Sequence, residues 1–271
     1  MEIRQRYARV YLALPSMRFL QPYSVFCPSS LSPSPPETRL CPSVVRVLAI
    51  ETSMGRTSVA VTTARQGEAV RVKRLESVRG QAEQLIPLIG SLMAEAGLAF
   101  AGLDRIAVSV GPGGFSGIRT GVAAARAFGL AAKVPVVGAT SFSIMAAAFE
   151  KAGHAKGPYG LAAPAGVNAV FCQILNPGRT AVTEIVTLPH AECAAFFDGK
   201  ADVLAGPAAT ALIDGGFVAL PLADPDLFPD ALSLAELAST LNPVHDLPTP
   251  FYVRPPDAKP QTRNLIPRKD E

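Results

Sequence analysis

Residues 111–117 read Gly-Pro-Gly-Gly-Phe-Ser-Gly, four glycines and a proline between an apolar run and a helical pattern. Glycine accepts positive φ, so such a turn can aim several backbone N–H groups at one point. The helix behind it begins with unpaired N–H groups and a positive dipole end. Gly111, Gly113, Gly114 and Ser116 are therefore candidates for holding a phosphate or another anion. The plainer reading is a tight strand-to-helix turn. The turn lacks the Gly-Lys-Ser/Thr ending of a P-loop. A GxGxxG reading fails at Ser116, and the stretch 131–138 has no acid for a ribose hydroxyl.

Other chemistry is sparse. The three histidines, His154, His190 and His245, form no HxxxH or HExxH pair, so a helical metal site is not expected. Glu51 ends the first apolar run, and the expectation for it is a strand-end acid that caps nearby N–H groups.

These residues need elements to position them. Residues 104–110 read as a strand and 117–132 as a helix. Along that helix Gly117, Gly121, Ala125 and Gly129 recur every fourth residue, so one face has almost no side chain. Interior glycine costs about 1 kcal/mol relative to alanine. Such a stripe requires another backbone close by, either this chain's own sheet or a helix of another chain. Of the two, the helix of another chain is the expectation. Arg119, Arg126 and Lys133 repeat every seventh residue on a different face, towards solvent or an acidic partner.

Upstream, 46–52, 57–63 and 69–78 read as strands on short connections, a meander. Residues 81–97 follow at helical spacing, with Pro87 expected to bend or delay the helix. After the helix 117–132 come a strand at 135–139 and a helix at 141–151. The order β-β-β-α-β-α-β-α implies a mixed sheet with helices on its faces. Further strands are expected at 159–163, 167–175, 179–188 and 203–205. Helices are expected at 189–197, 207–215 and 233–241, and a last short strand at 251–254. The chain divides into a first lobe at 46–152, a second, reduced lobe at 153–254 and a polar tail at 255–271.

Residues 1–45 differ from the rest, with seven Pro, seven Ser and no Lys. They read as disordered. Three origins fit them: a weak secretory signal, a basic transit peptide, or residues of an extended reading frame upstream of a start near Val44 or Val45. The last is the expectation. Residues 1–46 carry six Arg against two Glu, and the remainder carries 19 Lys and Arg against 20 Asp and Glu. A near-neutral body is not expected to grip nucleic acid through phosphates by itself. Four cysteines without a CxxC point to a reducing, cytoplasmic setting. No run of about 18 strongly apolar residues suggests a membrane span.

The meander beginning VLAIETS at 47–53, the turn GPGGFSGIRTG at 111–121 and the ending PFYVRPPDAK at 250–259 together resemble the TsaB, or YeaZ-like, family. The resemblance is strong over 46–150 and 250–259 and weak between. It implies an α/β, actin and Hsp70-type two-lobe fold, ribonuclease H-like in each lobe. It also implies a non-catalytic role beside the TsaD transferase, which makes N6-threonylcarbamoyladenosine on tRNA. On this resemblance the helices 81–97 and 117–132 dock the partner, through Gln81, Glu83, Gly117, Gly121, Ala125 and Gly129. The chain needs no cofactor of its own, with ATP or ADP held at the subunit interface. A TsaE-type ATPase and, through the complex, tRNA are further implied partners, and a homodimer is the alternative assembly. TsaD itself carries a metal site on an HxxxH helix. Here the matching stretch, Arg79 to Gln84, has no histidine. In the second lobe Pro164-Ala165-Gly166-Val167-Asn168-Ala169 stands where the family has Asp-Ala-Arg-Arg-Gly-Glu, so that lobe offers no carboxylate to Mg²⁺. In the first lobe Glu51 stands where the actin-like fold has an aspartate, and the resemblance implies a vestigial acid that could still reach a hydrated metal, one methylene further out. The competing reading is an actin-fold ATPase or small-molecule kinase using the 111–117 turn, which requires an acid in each lobe.

Overall fold

The computed structural model describes residues 45–62, 71–75, 80–241 and 246–253. The expected N-terminal disorder and the C-terminal tail lie outside the described residues.

The apolar run Val47–Glu51 (β1) is wholly buried, as a strand covered on both sides must be. It pairs antiparallel with Thr57–Val61 (β2), Ile50 opposite Val59, and β2 pairs antiparallel with Arg71–Leu75 (β3). On its other side β1 runs parallel to Arg105–Gly111 (β4), which runs parallel to Val136–Thr140 (β5). The first sheet is therefore ordered β3-β2-β1-β4-β5. The helix Gln81–Ala96 (α1) follows β3, Phe115–Ala132 (α2) follows β4, and Ser141–Lys151 (α3) follows β5. Each parallel pair is thus joined by a helical crossover. Pro87 does not delay α1, which runs unbroken from Gln81 with the proline ring exposed.

Alternation along the strands assigns the two faces. Leu48, Ile50, Ile106, Val108 and Val110 pack under α1 and α2. Val47, Ala49, Ala60, Ala107 and Val137 pack on the other face with Ile144 of α3 and a late helix, Ala231–Thr240 (α6). The sequence places this last helix in the second lobe. The structure lays it across β1 and β2 instead. Asp230 caps it, accepting from the backbone N–H groups of Leu232 and Ser233. Ser58 on β2 accepts from the N–H of Ala231, which fastens the helix start to the sheet. Arg105 of β4 donates to the carbonyl oxygens of Ala238 and Leu241 at the other end.

The second sheet is built from Tyr159–Pro164 (β6), Ala169–Asn176 (β7), Thr180–Ala181 (β8), Val186–Pro189 (β9), Val203–Ala205 (β10) and Leu222–Asp224 (β11). Its order is β11-β10-β6-β7-β8, with β9 also on β7. The single strand expected at 179–188 is two pieces, because the chain crosses β7 in two separate registers. The short strand β11 has no alternation to announce it and is absent from the sequence reading. The helix expected at 189–197 is a 3₁₀ turn followed by Cys193–Phe197 (α4), and Ala209–Asp214 (α5) covers the same core. Residues 251–253 form no strand, although the N–H of Phe251 donates to the carbonyl of Val110. Phe142, Met145 and Phe149 of α3 pack with Tyr159, Leu161 and Leu175, so α3 serves both sheets. The two mixed sheets, each with its flanking helices, thus make two lobes that share α3.

Candidate functional site

The glycine turn closes onto its own chain. The N–H of Gly114 donates to the carbonyl of Ser53 at 2.7 Å, and a side chain on Gly113 would overlap that same carbonyl. Gly111 is buried at φ 104°, with the Phe251 carbonyl 2.9 Å from where a Cβ would stand. Ser116 is exposed one residue into α2. Gly111 and Gly113 are required by close packing between the turn, the β1 end and residue 251, whereas a Cβ on Gly114 would stand 3.7 Å from the Ser53 carbonyl, an ordinary contact. The packing is a sufficient reason for those two without a phosphate.

Glu51 lies beneath the turn, 1% exposed. One carboxyl oxygen accepts from the N–H and the hydroxyl of Ser53, at 2.5 and 2.6 Å. The other is buried without a protein partner. Ser141 donates to Ser53 or to the Pro112 carbonyl and meets Ser109, which completes a buried hydroxyl cluster at the strand ends. Burial raises the Glu51 carboxyl above the usual range, the donors from Ser53 pull it back, and the nearby Asp230 charge raises it further. A carboxyl whose ionisation burial disfavours, and one of whose oxygens is already taken by Ser53 beneath a closed turn, is a poor ligand for Mg²⁺. Among the described residues no group of three His, Cys, Asp or Glu could hold a metal ion. The residues present therefore do not fit a magnesium nucleotide held by this chain alone.

The small-residue stripe also faces inward. Gly117, Gly121, Ala125 and Gly129 are all buried. The Thr52 hydroxyl donates to the Gly117 carbonyl at 2.7 Å, and a Cβ on Gly117 would overlap the Thr52 carbonyl. A Cβ on Gly121 would overlap the Thr52 hydroxyl, and one on Gly129 the Val136 side chain. This corrects the expectation that the stripe meets another chain. It lets α2 sit down on its own sheet. Gln81, half-buried, donates to the Gly55 carbonyl at 2.9 Å and fastens the start of α1 to the turn after β1. Of the residues expected at the partner face, Glu83 is exposed.

The outward face is different. Leu130 is 83% exposed and Ile86 of α1 is 50% exposed. On α2 Ala123, Ala127 and Ala131 are also exposed, as are Arg119 and Arg126, and on α1 so are Gly90 and Ala94. Leu130 lies half a turn from Gly121, nine residues on at 100° each. The signal for it was a lone leucine opposite the glycines. Also missed were Asp230 near Glu51, and Tyr252, whose hydroxyl accepts from Arg119 at 2.9 Å and whose ring stacks on Phe115 at 4.8 Å.

The family model described as TsaD, tRNA N6-adenosine threonylcarbamoyltransferase, matches residues 76–216, just over half of the chain. The TsaB protein of Haemophilus influenzae is 33% identical over 105 residues, 38% of this chain and 43% of that one. The chain belongs to this family, on its TsaB or YeaZ-like side. An uncharacterized protein of Mycobacterium tuberculosis is 30% identical over 221 residues, 79% of this chain and 94% of that one. Among solved structures, a Pseudomonas aeruginosa protein described as similar to peptidase YeaZ superposes with TM-score 0.66 at 25% identity. That match covers 78% of this chain and all of the other. Among the described residues no helix is long and apolar enough to cross a membrane.

Proposed function

We propose that this chain is a non-catalytic subunit of the assembly that makes N6-threonylcarbamoyladenosine on tRNA. It docks a TsaD-type transferase through the outward faces of α1 and α2. The observation that carries this reading is Leu130, 83% exposed on a face of alanines, with Ile86 half exposed on the neighbouring helix. A large apolar side chain among small residues is the pattern of an anchor at an interface centre, with Arg119 and Arg126 at its rim. TsaB-named relatives support the pathway. The buried Glu51 and the uncharged loop 164–169 support a role without turnover. Nucleotide, a TsaE-type ATPase and tRNA reach the chain through the complex. Without its partner the same face joins two copies of the chain.

Leu130→Glu combined with Ile86→Glu tests this. The double variant is expected to melt within a degree or two of the parent and to lose the TsaD subunit in a pull-down. Undiminished capture would overturn the docking face. Steady ATP turnover by the purified chain would restore the ATPase reading.

A further inference from the structure

Two thiols meet inside the second lobe. Cys172 is the fourth residue of β7 and Cys193 the first of α4, and both are buried and unbridged. Alternation fixes where Cys172 points. Val170, Cys172 and Ile174 enter the core under α4 and α5, while Phe171 and Leu175 turn to α3. The strand β9 runs back along β7, with Val186 opposite Cys172 and Pro189 opposite Ala169. The chain then turns through His190–Glu192, and α4 folds over the same face, held there by Cys193 and Phe197. The Cys193 thiol donates to the Pro189 carbonyl at 3.5 Å, and the Cys172 thiol donates to the Cys193 sulfur.

A single buried cysteine is an inert apolar side chain, but two in contact are a dithiol. The contact makes them unequal. Donation to Cys193 holds the Cys172 thiol far above its usual range, and burial raises it further. The same hydrogen bond lowers Cys193, against burial and the Glu192 charge. Cys193 is therefore the sulfur that gives up its proton first, and Cys172 the one that follows. The way in runs through α4. It has five residues, the Glu192 side chain does not cap its start, and Ala194 and Ala195 on it are exposed. So short a helix depends on its two buried side chains and opens locally at low cost.

We propose that Cys172 and Cys193 form a reversible oxidation site, a dithiol that a hydroperoxide converts into a disulfide fastening α4 to β7. The Cys193 sulfur attacks one peroxide oxygen and the O–O bond breaks. With hydrogen peroxide the leaving hydroxide takes the Cys193 proton and departs as water, and Cys193 becomes a sulfenic acid. The Cys172 sulfur then displaces the sulfenic hydroxyl, which leaves with the Cys172 proton as a second water. The S–S bond forms, the two thiols are oxidised by two electrons and the peroxide is reduced by two. An external dithiol returns the pair to thiols by exchange and becomes a disulfide itself. The site lies in the lobe that the docking reading does not use.

The test is the full chain treated with hydrogen peroxide and digested with trypsin without reduction. Cleavage after Lys156, Arg179 and Lys200 puts the two cysteines in separate peptides, 157–179 and 180–200, which a disulfide joins. The joined pair is expected after peroxide and should vanish with dithiothreitol. The oxidised chain should melt about 5 °C or more above the same sample after dithiothreitol, because the bridge restricts the unfolded chain. TsaD capture should not change. Cys172→Ala should leave Cys193 as a sulfenic acid that dimedone labels, and Cys193→Ala should leave Cys172 a free thiol. The peptide map of the parent needs neither variant to fold. Free thiols at both positions, after the same peroxide has consumed glutathione in the same tube, would overturn the proposal. So would bridges from either residue to Cys27 or Cys41 in place of the joined pair, or dimedone on Cys172 in the Cys193→Ala protein.

Discussion

Thr52 and Gly117 are joined twice. The Thr52 hydroxyl donates to the Gly117 carbonyl at 2.7 Å, and the Thr52 carbonyl occupies the space where a Gly117 side chain would stand. The end of β1 and the start of α2 therefore pack backbone against backbone. The spacing of small residues along α2 records this contact within one chain.

Gly121→Leu is accordingly expected to destabilise the protein. The added side chain meets the Thr52 hydroxyl and a Val108 methyl, and overpacking of this kind costs about 1–3 kcal/mol or more. The gain in helix propensity, several tenths of a kcal/mol, does not offset it. Chemical denaturation of the variant should show a lower midpoint. A midpoint at or above that of the parent would return the stripe to an external partner.

Stability should depend on Glu51 in a defined direction. Its carboxyl is raised in the folded protein, so the folded state holds the proton more tightly than the unfolded chain. Stability is then full below the ordinary carboxylate pKa of about 4.3 and falls as pH rises from there through the folded value. Glu51→Gln removes the ionisation. The variant should match the parent near pH 4 and exceed it at pH 7, by thermal melts across that range. A parent that gains on Glu51→Gln as pH rises would show that the carboxylate is stabilised by its serines.

Arg105 holds the end of α6 through the carbonyls of Ala238 and Leu241, where a cation also meets the negative end of the helix. Arg105→Met keeps the stem and removes the donors. A loss of about 1–3 kcal/mol is expected, with hydrogen exchange fastest in the last turn of α6. Uniform exchange across the helix would mean that its packing, not this tie, fixes the end.

Asp230 caps the other end of α6. Asp230→Ala should cost about 0.5–2 kcal/mol, and Asp230→Asn much less because the amide oxygen still accepts. Both changes should also lower the Glu51 pKa, since the Asp230 charge contributes to raising it. Equal losses from the two variants would indicate that the charge, and not the cap, matters.

The first lobe was legible in the sequence because each strand and helix there is long enough to show its period. The first two meander strands and α2 lie within two residues of their expected bounds and α3 runs over 141–151 as expected, while the third strand, expected at 69–78, is described over Arg71–Leu75. The second lobe was less legible. Strands of two to four residues such as β8, β9 and β11 give no alternation to read, and they are fixed by pairing with β7 or β10. The direction of the glycine stripe was also hidden. Spacing shows that a helix face is bare, but only Thr52 and Val136 show what fills the space. Glu51 was visible as a strand-end acid, and its capping role from Ser53 is the plainer of the two readings the sequence allowed.

The return of α6 to the first sheet has a consequence for how the chain acquires its shape. Val47, Ala49, Ala60 and Ala107 need Leu234, Ala235 and Ala238 to cover them. On a ribosome, Val47 would emerge 234 − 47 = 187 residues and Ala107 234 − 107 = 127 residues ahead of Leu234 in their lid, with the whole second lobe made in between. The first lobe is thus interrupted, and its innermost strand stays open on one side until nearly the last of the chain has been synthesised. The second lobe, closed by its own helices, can be complete before the first one is.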